Sequence, residues 1–129
     1  MPRAKSKGKQ GDTHDLAVAL GRACADLKCS DILILDVREI SQVCDYLVIA
    51  SGTSARQMRS VAEDLDKLGA ARGSAAWKRE SDSGYSWLVV DFVHVVVHLF
   101  EPMQRVFYDL EGLWSDAPRI SWSARAAKN

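Results

Sequence analysis

The chain has 129 residues, 47% hydrophobic and 26% charged, which allows one globular domain with a modest core. No apolar run approaches ~20 residues and no signal-type segment follows the basic N-terminus, so a membrane-spanning helix is excluded. The formal net charge of zero hides a split: residues 1–13 carry +3, residues 115–129 carry +2, and residues 14–114 carry −5.

In chain order, residues 1–13 are polar and aperiodic and read as a disordered basic tail. A first helix is expected over residues 14–27, capped by Asp12 or Thr13, with Leu16, Leu20, Ala23, Cys24 and Leu27 on one face. Asp31-Ile-Leu-Ile-Leu-Asp-Val37 is a short apolar run and reads as a buried strand. Residues 40–44 make a connecting turn, and Asp45-Tyr-Leu-Val-Ile-Ala50 gives a second strand. Ser54 and Gln57 have capping-box spacing, so a helix begins there. Its stripe is Met58, Val61, Ala62, Leu65 and Leu68, with Gly69 as its stop. A short strand is expected over 75–79, then a turn over 80–84.

The stretch 85–114 organises the rest. Residues 87–100 are Val-rich and too long for one strand, so the chain folds back near Asp91 and His94 as a hairpin. From Pro102 the period becomes helical, with Met103, Val106, Phe107, Leu110, Leu113 and Trp114 as the core-facing stripe. Arg105, Tyr108 and Glu111, three apart, would line an exposed strip beside it. Beyond Trp114 lies a polar tail, 115–129, in which only Ile120 and Trp122 could pack back. The element order implies a single α/β domain over 14–114, a mixed β-sheet with flanking helices.

Few residues carry chemistry. Gly52-Thr53-Ser54 joins a strand to a helix N-terminus, a place that favours anions. A metal-dependent nucleotidyltransferase using that turn and Asp91 is the alternative reading. It lacks a second carboxylate, because Val93 holds the next same-face position. His94 and His98 would lie ~13 Å apart on an extended strand, too far to share one ion. No metal, cofactor or enzyme activity is therefore expected. Cys24, Cys29 and Cys44 form an odd set without a CxxC, which fits inert buried thiols in a reducing cytoplasm. An acidic body is ill suited to gripping phosphates, so a basic protein partner fits better than direct nucleic-acid recognition.

Several segments, in shared order and spacing, resemble the Iojap-related ribosomal silencing factors. They are Ile32-Leu-Ile-Leu-Asp-Val37, Cys44-Asp-Tyr-Leu-Val-Ile-Ala-Ser-Gly-Thr-Ser54, the pair Arg56-Gln57, the hairpin WLVVDF and VVVHLF, and Arg105-Val-Phe-Tyr-Asp-Leu-Glu-Gly-Leu-Trp114. The resemblance covers roughly 16–118. It implies a degenerate nucleotidyltransferase-like fold without catalysis. It also implies binding to protein number fourteen of the large ribosomal subunit, which blocks small-subunit joining when nutrients are short, and a possible homodimer. Trp87, Asp91, Arg105, Tyr108 and Glu111 lie in its best-matching part and are the expected partner-binding residues. Two departures stand out: Val93-His94 where the family turns its hairpin with Gly-Asp, and Glu80-Ser81 where it favours Glu-Gly.

Overall fold

The computed structural model describes residues 10–122. Most of the basic N-terminal tail and the last seven residues lie outside the described residues. Nine elements follow in order: α1 (Gln10–Asp26), β1 (Ser30–Asp36), β2 (Tyr46–Ser51), α2 (Ala55–Ala71), β3 (Lys78–Ser81), β4 (Trp87–Asp91), β5 (Val95–Phe100), α3 (Pro102–Tyr108) and α4 (Leu110–Leu113). The strands form one mixed sheet in the order β1-β2-β5-β4-β3. Only β2 and β5 run parallel, joined through α2 and the two edge-ward strands.

Local chemistry explains most boundaries. At the start of α2 the Gln57 N–H donates to Ser54 Oγ at 3.0 Å, and the Thr53 N–H donates to Gln57 Oε1 at 3.0 Å. This is the expected capping box, reaching one residue further back. α1 starts earlier than expected, so Asp12 and Thr13 lie inside its first turns instead of capping it. An acid there complements the helix dipole. α2 runs past Gly69 to Ala71. Gly69 serves close packing: a Cβ there would meet the Phe92 ring at 2.4 Å. The stop is Gly73, at φ 80, with the Ser74 N–H closing onto the Gly69 carbonyl at 2.7 Å.

The sheet has two unlike faces. α1 and α2 cover one, burying Leu16, Leu20, Met58, Val61 and Leu65 against Ile34, Val48, Leu88, Val90 and Val97. The other face holds Leu35, Leu47, Ile49 and Phe100, with Leu110, Trp114 and Ala117 laid over part of it. Residues 117–122 also close the β1 edge. The Asp36 N–H donates to the Pro118 carbonyl and the Ile120 N–H to the Ile34 carbonyl, both at 2.8 Å. Trp122 Nε1 reaches the Ile32 carbonyl at 3.2 Å. A paired edge cannot recruit a foreign strand. Ile120 and Trp122 do pack back, α1 begins before residue 14, and the packed structure continues past residue 114.

The hairpin turns at 92–94. Val93 adopts φ 77, a left-handed conformation that a β-branched residue resists. Its N–H is held by Asp91 Oδ1 at 2.7 Å. A glycine would meet this backbone without strain.

Candidate partner-binding site

The helix expected to run from Pro102 to Trp114 is broken and turned over. Glu101 caps α3, accepting the Gln104 N–H at 3.1 Å, and Pro102 stands at the first turn as expected. At Asp109 the backbone switches to φ 48, ψ 49, and α4 starts in a new direction. The stripe expected in the core is outside: Met103 is 75% exposed, Val106 79%, Phe107 74% and Leu113 75%. Only Leu110 and Trp114 pack inward.

What turned inward instead is Arg105, 9% exposed. Its Nη1 donates to the Asp31 carbonyl at 2.7 Å and to Ser51 Oγ at 2.9 Å, and its Nε donates to Glu111 Oε2 at 3.0 Å. Three acceptors engage the guanidinium, which offsets the cost of burying it while the apolar side chains face solvent. The Arg105–Tyr108–Glu111 strip is thereby corrected. Arg105 and Glu111 form an internal clamp holding α3 and α4 to the ends of β1 and β2, and only Tyr108 lies on the surface.

Tyr108 meets the other aromatic residue picked out from the sequence. Its ring lies 4.7 Å from that of Trp87, which in turn lies 5.3 Å from Phe100. Phe107 meets Tyr108 edge-on at 5.1 Å. Beside this cluster opens a cleft of about 580 Å³, lined by Glu80, Ser81, Asp82, Trp87, Val89, His98 and Tyr108. Trp87, in the β4 row that faces away from α1 and α2, forms its floor together with His98. Asp82 fixes the entry to β4 by accepting the Ser86 and Trp87 N–H groups at 2.7 and 3.1 Å.

Asp91 does not join them. The register pairs Trp87 with Phe100 and Phe100 with Ser51, whereas Asp91 pairs with Val96 and Val96 with Leu47. Asp91 therefore lies at the other end of the sheet, about 13 Å along β4 from Trp87 at ~3.3 Å per residue. Its visible role is to hold the Val93 turn. The same register separates Asp91 from the Gly52-Thr53-Ser54 turn, so the nucleotidyltransferase constellation is not assembled. Among the described residues no three His, Cys, Asp or Glu side chains converge on a metal site. Likewise, no helix is long and apolar enough to cross a membrane.

The three cysteines are buried. Cys24 and Cys29 contact each other, and that hydrogen bond, helped by one from Gln57, draws the Cys29 thiol down to about 7. Sequence reasoning missed Met103, Val106, Phe107, Leu113 and the contribution of His98. No signal within the sequence marks them, because the break at Asp109 and the acceptors that draw Arg105 inward are tertiary features.

Comparison with known proteins decides the family. Residues 10–129 match the model of the ribosomal silencing factor during starvation. The chain belongs to the ribosomal silencing factor family. It is 40% identical over 96 residues to the silencing factor of Bacillus subtilis, covering 74% of this chain and 81% of that protein. It is 36% identical over 88 residues to a mouse protein named for mitochondrial assembly of the ribosomal large subunit, covering 66% of this chain and 39% of the relative. A crystal structure from Chromobacterium violaceum superimposes with a TM-score of 0.73 at 28% identity, covering 88% of this chain and 92% of that one. The exposed apolar residues of α3 and α4 and the Trp87 cleft fall within the matched residues.

Proposed function

We propose that this chain silences ribosomes by docking on the large subunit at its basic protein number fourteen. There it blocks joining of the small subunit and lowers protein synthesis under nutrient limitation, in the compartment where ribosomes work. It acts by occupancy, without catalysis. One observation carries the reading: the ridge Met103, Val106, Phe107 and Leu113, continuous with Tyr108 and Trp87, is apolar and left in water. Exposed apolar patches rimmed by charge mark interaction sites. Glu80 and Asp82 at the rim, on a body of net −5, favour a basic partner. Aromatic anchors such as Trp87 and Tyr108 supply a large share of interface energy, so Tyr108→Ala weakens docking about tenfold.

Sucrose-gradient sedimentation with separated subunits tests this. The protein is expected to travel with the large subunit and not with the small one, and association should slow as salt rises. Migration with neither subunit overturns the reading. The same ridge is available to a second copy of the chain, and sedimentation velocity of the protein alone reports that use.

A further inference from the structure

His98 stands in β5, diagonal to Trp87 across the β4–β5 pair. Their rings lie 5.9 Å apart at 29°, and the indole Nε1–H donates to His98 Nδ1 at 3.1 Å. His98 also stacks on Phe100 at 6.2 Å, and Phe100 and Tyr108 are the other two rings against Trp87. The aromatic cluster thus contains one directed polar contact. We infer that His98 is a positioning residue of the docking site, whose bare Nδ1 accepts the hydrogen bond of the Trp87 indole N–H and fixes that ring with its polar edge already satisfied. This rests on the docking reading above.

The physical case lies in the difference between the free and the covered cleft. An indole N–H can only donate. In the free protein water can reach an open cleft and replace His98 as acceptor. Once a partner covers the cleft that water is expelled, and a donor without His98 is left unpaired. His98 therefore matters more to binding than to folding. The imidazole must be neutral for this, since an imidazolium would set N–H against N–H. Burial does so, pushing the His98 pKa down to about 4, against a small upward pull from Asp91. With Nδ1 bare, the ring proton lies on Nε2.

Large-subunit binding of His98→Phe, His98→Asn and Trp87→Ala, measured with melting temperatures, tests the assignment. Phenylalanine keeps the stack and removes the acceptor, so it should bind about tenfold more weakly. Asparagine places Oδ1 near the lost Nδ1 and should stay within about twofold of wild type, the rescue a packing role would not give. Trp87→Ala separates the two ideas. If it binds like wild type, the docking reading fails. If it weakens while His98→Phe binds like wild type, the role of His98 fails alone. Nitrogen NMR of the wild-type protein decides even if a variant does not fold. At pH 7 an unprotonated Nδ1 and a slowly exchanging Trp87 indole proton support the assignment, and a protonated Nδ1 overturns it.

Discussion

On one face of the sheet, α1 and α2 turn Leu16, Leu20, Met58, Val61 and Leu65 inward and leave their charged residues in water. On the other, α3 and α4 turn Arg105 inward and leave Met103, Val106, Phe107 and Leu113 in water. All these helices carry an apolar stripe, so periodicity alone treats them alike. The difference lies in length and in acceptors. α2 has 17 residues and its stripe spans the sheet, whereas α3 has 7 and sits at the sheet's end, where the Asp31 carbonyl and Ser51 Oγ await a donor. A stripe on a long helix reads as core. On a short terminal helix it can equally be an interface.

Substitutions on the two faces should behave oppositely, and the largest effect belongs to the covered one. Leu65→Ala empties a fully buried site and should cost about 3 kcal/mol of stability in denaturant unfolding. A loss under about 0.5 kcal/mol would mean the α2 face is not the core. Acid probes the open face. The His98 pKa is depressed to about 4 from an ordinary value near 6.5, so its contribution is complete above about pH 6.5 and is lost as pH falls toward 4. That term amounts to about 3 kcal/mol at most, and His98→Asn, with no titrating ring, should lose less stability over the same window. Arg105→Met should destabilise by about 2 kcal/mol, because Glu111 and the Asp31 carbonyl lose their donor. Glu111→Lys should destabilise too, by setting like charges together. If either folds with unchanged melting temperature, the clamp is not what orients α3. The smallest effect has the opposite sign: Val93→Gly should raise stability by about 1 kcal/mol by releasing a left-handed β-branched residue. A lower melting temperature would show that the turn is unstrained.

Much of the fold was legible because it rests on local rules. The strand runs at 31–37 and 45–50, the Ser54–Gln57 box, Pro102 at a first turn and the fold-back near His94 each follow from neighbours in sequence, whereas the short strand expected over 75–79 lies at Lys78–Ser81. Gly69 misled because its chemistry is non-local: it yields space to Phe92, a contact from another element. Of the five residues singled out for the site, two come together in the structure. Trp87 and Tyr108 stood out as aromatics beside charge, and they meet. Asp91, Arg105 and Glu111 were placed by proximity in sequence, and sequence proximity does not fix the end of a strand or the side of a helix. The register sends Asp91 to the far end of β4, and the Arg105 acceptors come from residues 31 and 51. No period within α3 could reveal them.

The measurement that tests the ridge most directly is co-sedimentation of Phe107→Asp with the large ribosomal subunit, alongside its melting temperature. Phe107 is mostly in water, so the variant should melt within the range of surface substitutions, about 0.5 kcal/mol either way. It should nevertheless leave the large-subunit fraction, because a carboxylate replaces an apolar contact at the centre of the docking face. A variant that folds and still sediments with the large subunit like wild type would contradict the account and place the partner on another surface.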